Sequence, residues 1–312
     1  MTRLAKPIPV ILDTDIGADI DDTWAVAMLL KCPELDVKLI VGDSGDAIYR
    51  AKLIARLLEV AGRTDIPVGV GLQSKENPKR RRQAQWIGGY ELSGYPGKVE
   101  RDGVGAIIET IMASAEPVTV IAIGPAPNIG AALDRQPAIA GNARFVGMYG
   151  SVRKGYNNSD EISRECNVKG YTSELQKAFA APWDIAITPL DSCGIMQLKG
   201  EKYAKVAAAA KSDPLIAALM ENYGYWANLY TRKDEAPTAS SILFDCVAVY
   251  MAWSTQLLVM EDLPIRITDD GLTLIDPKGG RMTHVATGWK DYPAFEDLLV
   301  DRLLGPTIPP RR

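Results

Sequence analysis

The chain has 312 residues, of which 47% are hydrophobic and 24% charged, with a formal net charge of −4 at pH 7. A negative chain argues against a nucleic-acid partner, because backbone phosphates are usually met by a basic surface. No segment approaches the roughly 18 to 20 apolar residues that span a bilayer. Residues 1–8 hold no apolar run of signal-peptide length. We therefore expect no membrane partner.

The composition also bears on domain organisation and compartment. It can fill a large core and shows no break, so we predict one domain over residues 1–312, with two domains as the alternative. The four cysteines are scattered, with no pair at metal-binding spacing. This usage fits free thiols in a reducing compartment, and we expect a cytoplasmic location.

Short apolar runs bounded by turn residues recur along the chain, and each is typical of a buried strand. Stretches with helical periodicity lie between them, and repeated strand-then-helix predicts an α/β fold with an open, mostly parallel sheet wrapped by helices. The predicted strands are 10–15, 37–42, 67–71, 118–124, 145–149 and 184–189, the predicted helices are 47–61, 107–113, 129–133 and 175–180, and a hairpin (265–267, 272–275) precedes a helix near 295–304.

Three segments do not follow this alternation: 72–103, 150–164 and 222–241. Long irregular segments in a compact domain are usually functional loops or lids. The first contains the basic run 79–82, which we predict to be solvated surface.

The first predicted strand leads into a cluster of five carboxylates within ten residues. A single aspartate at that place would serve as a helix cap, but a cap does not account for five. The carboxyl edge of a parallel sheet is where open α/β folds build their sites, and crowded hard oxygen ligands there indicate a divalent cation. The members are Asp13, Asp15, Asp19, Asp21 and Asp22.

Four segments in order resemble the inosine-uridine preferring nucleoside hydrolase family. Residues 13–17 read DTDIG and precede Asp21 and Asp22, where the family has DTDPG and an aspartate pair two residues earlier. Residues 121–128, 164–167 and 241–248 are similar to its AIGPLTN, AEFN and HDPxA segments. A DxD motif alone also begins phosphohydrolases of the haloacid dehalogenase type, whereas four matches in order are specific.

The resemblance implies a Rossmann-like fold that uses Ca²⁺ to hydrolyse the N-glycosidic bond of ribonucleosides, in a homodimer or homotetramer. Asp15 would be both general base and metal ligand. Asp13 would support the metal site from behind, and Asp19 competes with Asp21 for the ribose. The other implied metal ligands are Asp22, the Pro127 carbonyl and Asp245, and the implied ribose contacts are Asp21, Glu165 and Asn167.

One position departs from the better-known family pattern. The residue before Asp245, often a histidine that protonates the leaving group, is Phe244, and the only histidine of the chain is His284, which we predict to lie on a strand or at the surface. Purine-preferring members with an aromatic residue there imply that Phe244 and Trp86 sandwich the nucleobase. The alternative is that Phe244 is a core residue and Trp86 a loop anchor.

Several questions stay open at this stage. Further residues could contact the nucleobase or protonate the leaving group, and the sequence does not rank them: Tyr223, Tyr225, Trp226, Tyr230 and Arg232. It does not decide the nucleobase preference. The alternatives to a hydrolase are a non-catalytic nucleoside sensor on the same scaffold and a phosphohydrolase that prefers Mg²⁺.

Overall fold

A computed structural model describes residues 6–74, 80–229 and 238–311. Strands and helices alternate through most of the chain, and Leu92–Gly94 and Tyr156–Asn158 form short 3-10 turns. The elements are β1 (Ile8–Thr14), α1 (Asp21–Leu29), β2 (Leu35–Gly42), α2 (Ala47–Val60), β3 (Val68–Val70), β4 (Val99–Glu100), α3 (Gly103–Ala113), β5 (Val118–Ala122), α4 (Pro127–Arg135), α5 (Ile139–Asn142), β6 (Ala143–Gly147), α6 (Cys166–Gly170), α7 (Thr172–Ala180), β7 (Asp184–Ile187), α8 (Leu190–Cys193), α9 (Gly200–Ala209), α10 (Pro214–Ala227), α11 (Phe244–Met251), β8 (Leu258–Ile267), β9 (Thr273–Ile275), β10 (Arg281–Trp289) and α12 (Tyr292–Leu304).

Within the described residues the strands form one ten-stranded sheet in the order β4-β3-β2-β1-β5-β6-β7-β10-β8-β9. The pairs from β4 to β10 are parallel, and β8 and β9 add an antiparallel edge. The chain moves outward from β1 through β2, β3 and β4 and then returns to β5 on the other side of β1. The carboxyl ends of β1 and β5 therefore mark a topological switch point, where open α/β sheets bind ligands.

Both faces of the sheet are covered, which explains why its central strands read as continuous apolar runs. Successive strand side chains point to opposite faces, so Val10 and Leu12 join one hydrophobic cluster and Ile11 the other. The first cluster is covered by α1, α2, α9, α10, α11 and α12, and the second by α3, α4 and α7.

The structure contains all six predicted strands, the four predicted helices, the hairpin and the last helix. It adds β10, which inserts between β7 and β8, and the two-residue strand β4, which lies inside the predicted irregular segment 72–103. The segment 222–241 was predicted to be irregular, but α10 continues to Ala227 and includes its first residues. Tyr223 on this part of the helix packs against Trp24 and Trp226, and these contacts stabilise the last turns of α10. Tyr230 and Arg232 lie outside the described residues. No helix in the described part of the chain is both long and apolar enough to cross a bilayer.

Candidate active site

A pocket with about 510 Å³ of empty space lies at the switch point. Its walls come from the loop between β1 and α1, from the residues that follow β5 and β6, and from the first residues of α1, α6 and α11. Two loops, which carry Arg80 and Tyr156, complete the pocket. The lining residues are Asp15, Asp19, Asp21, Asp22, Arg80, Ile123, Met148, Tyr156, Glu165, Cys166, Asn167, Phe244 and Asp245.

Three buried carboxylates meet in this pocket. One oxygen from each of Asp21, Asp22 and Asp245 lies within 4.8 Å of the others. The first two begin α1 and the third lies in the first turn of α11, and a helix N-terminus favours negative charge. Burial, followed by repulsion from neighbouring carboxylates, raises the pKa of all three groups well above the usual range. A cation among these hard oxygen ligands would relieve that repulsion, so the cluster fits a metal ion.

The neighbouring residues of β1 orient this cluster. The Thr14 hydroxyl donates to Asp22 Oδ1 at 2.5 Å and accepts the Ile16 N–H at 3.1 Å. Asp13 is fully buried, its Oδ1 accepts from Asn128 Nδ2 at 2.8 Å, and its Oδ2 has no hydrogen-bond partner among the described residues. Burial raises the pKa of Asp13 to about 7. Asp13 is thus buried beside the pocket without lining it, and the sequence offered no sign of the role of Thr14.

A buried arginine, Arg50 on α2, holds the loop that carries Asp15. Its Nε donates to the Ser44 carbonyl at 2.7 Å, and its Nη1 donates to the carbonyls of Ile16, at 2.8 Å, and of Asp15. Its charge also opposes the rise in the pKa of Asp22 that burial causes. The helical pattern of α2 gave no indication that this position faces the site.

Glu165 and Asn167 line the opposite side of the pocket. Glu165 caps α6, because its carboxylate accepts the N–H groups of Asn167 and Val168 and also that of Gly150. Burial raises its pKa to about 7 against the effect of these bonds. Asn167 Nδ2 donates to the Ile123 carbonyl at 3.1 Å and to the Met148 carbonyl at 3.3 Å, which ties the ends of β5 and β6 together.

The backbone carbonyl predicted from Pro127 is not at the pocket. Among the described residues, Ile123 lines the pocket and Pro127 does not. Pro127 is the first residue of α4, and the carbonyls of helical residues point along the helix, away from its N-terminus. Ile123 directly follows β5 and is therefore the residue whose carbonyl lies at the sheet edge.

Trp86 is also outside the pocket. Its indole is buried, Nε1 donates to Glu221 Oε2 at 3.1 Å, and the Arg56 guanidinium lies 4.4 Å from the ring centroid. These partners belong to α10 and α2, so the ring anchors its loop to the outer helices. The prediction that Trp86 stacks on a nucleobase is not supported by this placement, which agrees with the alternative of a loop anchor.

In the described part of the basic run Arg80 and Arg81 are exposed, in agreement with the prediction, and Arg82 is half-buried, but all three lie close to acidic side chains. Arg80 lines the pocket with Nη2 at 3.5 Å from Asp15 Oδ2. Arg81 pairs with Asp46 at 2.5 Å, and Arg82 lies 4.0 Å from Asp19. Of these three arginines only Arg80 lines the pocket, a placement that the local sequence does not reveal.

Phe244 lines the pocket and packs edge-on against Tyr156, with ring centroids 6.3 Å apart. His284 lies elsewhere, on β10, where its exposed ring contacts Asp262 and Asp184. Its placement on a surface strand agrees with the prediction. Among the described lining residues there is no histidine. Of the open candidates on α10, Tyr223 donates to the Ala239 carbonyl, and none of the three lines the pocket.

Comparison with known proteins decides the family. The model of the inosine-uridine preferring nucleoside hydrolases matches residues 10–297. The chain belongs to this family. Membership makes it an N-ribosyl hydrolase, an enzyme that cleaves the bond between a ribose and a nucleobase.

Individual relatives agree with this assignment. The chain is 28% identical over 224 residues to a non-specific ribonucleoside hydrolase of Klebsiella pneumoniae, covering 69% of this chain and 72% of that protein. It is 26% identical to a probable uridine nucleosidase of Arabidopsis thaliana, and the match covers 95% of this chain and 97% of that protein. A solved plant nucleoside hydrolase superposes with a TM-score of 0.79 at 24% identity, covering 97% of this chain and all of that one, which shows the shared fold.

The position of Trp86 predicts how this nucleoside hydrolase responds to its substitution. Trp86→Phe should leave the KM for ribonucleosides unchanged and lower the free energy of unfolding by about 1 kcal/mol, because one partly buried hydrogen bond is lost. Steady-state kinetics and urea unfolding measure the two effects. Phe244→Leu, which alters the pocket wall, is the comparison and should raise KM. A rise in KM for Trp86→Phe as large as that of Phe244→Leu would return Trp86 to the substrate site.

Proposed function

We propose that this chain hydrolyses the N-glycosidic bond of ribonucleosides to ribose and free base in this pocket, with Ca²⁺ as cofactor and Asp15 as general base. The observation that supports it most directly is the meeting of Asp21, Asp22 and Asp245 at two helix N-termini beside Asp15. The family membership of the chain supplies the reaction class.

The donor set favours calcium. All the candidate ligands are oxygen atoms, and Ca²⁺ takes six to eight such ligands with flexible geometry. We assign the ion to Asp15, Asp22, Asp245 and the Ile123 carbonyl, with Ile123 replacing Pro127. Asp21 is buried in the same cluster, whereas Asp19 is exposed at the pocket mouth, so we assign the ribose contact to Asp21. A bound Ca²⁺ would supply a positive centre that holds ribose hydroxyls and acidifies an adjacent water.

The side chains of the pocket account for the remaining steps. Asp15 accepts a proton from the attacking water, which requires a carboxylate within hydrogen-bond reach. Glu165 and Asn167, each held by several hydrogen bonds, bind the ribose hydroxyls in a fixed orientation. As the glycosidic bond breaks, positive charge develops on the ribosyl group, and the surrounding carboxylates stabilise it.

The direct test is release of free ribose from a panel of purine, pyrimidine and modified ribonucleosides, with Ca²⁺, with Mg²⁺ and after chelation. Release that needs Ca²⁺ supports the proposal and identifies the base preference. Release unaffected by chelation would overturn the role of the metal. Binding of nucleoside without release would favour the sensor, and hydrolysis of p-nitrophenyl phosphate instead would favour the phosphohydrolase.

The metal assignment makes a separate prediction for stability. Saturating Ca²⁺ should raise the melting temperature, since an ion at about 100 times its Kd adds about 2.7 kcal/mol to the free energy of unfolding. Asp245→Asn should remove most of that increase, as it lacks one of the anionic ligands. Asp262→Asn changes an exposed carboxylate on β8 and should keep the full increase. An undiminished increase in Asp245→Asn would exclude Asp245 as a ligand.

Three further expectations belong to this proposal. A cytoplasmic location is supported by the four cysteines, which are all free thiols. One domain over residues 1–312 is supported by the sheet that runs through the described residues. A homodimer or homotetramer follows from the family resemblance, and sedimentation velocity would measure it.

A further inference from the structure

The pocket contains a tyrosine hydroxyl whose proton is available to a ligand. The Tyr156 hydroxyl accepts the Cys166 N–H at 3.0 Å, and none of the described residues accepts its own proton. A phenol both donates and accepts, so this bond leaves the donor function unused. Tyr156 lines the pocket, which places the unused donor beside the space for a substrate.

We propose that the Tyr156 hydroxyl donates a hydrogen bond to the departing nucleobase. This inference rests on the proposed function and deepens it, because it names the group that stabilises the leaving group of that reaction. Tyr156 was not among the residues that the sequence singled out.

The neighbours of the hydroxyl define which end of the substrate it meets. Cys166, whose N–H binds the hydroxyl, lies between the two residues assigned to the ribose, Glu165 and Asn167. The Tyr156 ring meets the edge of Phe244, with an interplanar angle of 84°. The hydroxyl is therefore next to the ribose subsite, and the ring contacts the apolar wall on which a nucleobase can pack.

The turn that carries Tyr156 is held in place. The backbone N–H of Tyr156 donates to Ser163 Oγ at 3.3 Å, and the N–H of Gly155 donates to the Ser159 carbonyl at 2.9 Å. Asn157 and Asn158 have φ of 57° and 58°, in the left-handed region that asparagine tolerates better than most residues. A donor fixed before the reaction costs little reorganisation in the transition state.

Other donors in the pocket are less suited to this role. Arg80 lies 3.5 Å from Asp15, the carboxylate that we assign to the attacking water and not to the leaving group. Both protons of the Asn167 amide have carbonyl acceptors within reach, those of Ile123 and Met148. The Cys166 thiol is only a weak donor.

The reaction balances with this assignment. The water oxygen bonds to C1′ and its proton goes to Asp15, while the electron pair of the C1′–N bond goes to the nucleobase. Tyr156 stabilises the developing negative charge by its hydrogen bond. The nucleobase takes its final proton from solvent, and Asp15 returns one proton to solvent.

The test compares Tyr156→Phe with the unaltered enzyme on its best ribonucleoside and on p-nitrophenyl riboside, whose leaving group needs no proton. We expect kcat for the nucleoside to fall by about 10²-fold, the order seen when one donor to a developing anion is removed. We expect kcat for p-nitrophenyl riboside to stay unchanged. Tyr292→Phe is the matched control, since its hydroxyl also accepts a backbone N–H, from Gln197, but donates to the Ile195 carbonyl away from the pocket.

Two outcomes would overturn the inference while leaving the proposed function intact. Equal losses on both substrates would mean that Tyr156 only positions the ribose-binding residues through the Cys166 N–H. No loss on either would mean that its hydroxyl is not used. If the unaltered enzyme hydrolyses neither substrate, the proposed function itself fails, and the inference fails with it.

A second measurement does not depend on how much of the variant is folded. Rates on a series of substituted phenyl ribosides give a slope against leaving-group pKa, and the fraction of folded enzyme cancels from that slope. The slope should be steeper in Tyr156→Phe, because poor leaving groups then lack their donor. Identical slopes in the two enzymes would contradict the inference.

Discussion

Asp15→Ala should lower kcat for ribonucleosides by at least about 10³-fold, since a general base contributes on the order of 10² to 10⁴ and this carboxylate is also assigned to the metal. Asp15 follows β1 at the switch point and lines the pocket together with the three clustered carboxylates. The measurement is ribose release at saturating Ca²⁺ and nucleoside.

Two companion variants separate the roles of Asp15. Asp15→Asn keeps the shape and one oxygen ligand but cannot accept the water proton, so it should bind Ca²⁺ more weakly than the unaltered enzyme, still bind nucleoside, and turn it over at the residual rate. Asp19→Asn changes an exposed carboxylate at the pocket mouth and should lower kcat much less than Asp15→Asn does. Near-normal turnover in Asp15→Asn would remove Asp15 from the role of base.

Arg50→Met should lower the free energy of unfolding by about 3 to 5 kcal/mol, because each buried polar group left unpaired costs about 1 to 3 kcal/mol. In this variant the carbonyls of Ser44 and Ile16 lose their donor, and the carbonyl of Asp15 loses one of two, since it also accepts the Ala18 N–H at 3.3 Å. The neighbouring carboxylates also lose a nearby positive charge, so Ca²⁺ should recover more stability in the variant than in the unaltered enzyme. Urea unfolding with and without Ca²⁺ measures both effects.

Arg63→Met is the matched control for this prediction. Arg63 is also buried and donates to a carbonyl, that of Ile308, and to Asp65, but it lies outside the pocket. Its replacement should destabilise the protein by an amount that Ca²⁺ does not change. Equal Ca²⁺ dependence in the two variants would show that Arg50 acts only as a general structural residue.

Local patterns in the sequence were sufficient for most strands of the sheet, with β4 and β10 as exceptions, and they pointed to the acidic side of the pocket. Apolar runs of strand length mark buried parallel strands, because both faces of such strands are covered. Asp13, Asp15, Asp21 and Asp22 are joined to β1 and α1 by a few residues, so the end of one strand brings them together. The sequence also showed directly that no histidine precedes Asp245, because the residue at that position is Phe244.

Residues that reach the pocket from distant segments were decided only by the tertiary structure. Arg50 lies on a helix whose period predicts burial but not its partners, and Tyr156 lies in a loop with no period at all. The turn after β5 presents the Ile123 carbonyl to the pocket and directs that of Pro127 into a helix. Trp86 packs on α2 and α10 because those helices, far apart in the chain, meet beneath its loop. Periodicity carries information over one element, whereas these contacts depend on how separate elements pack, and packing is a property of the whole fold.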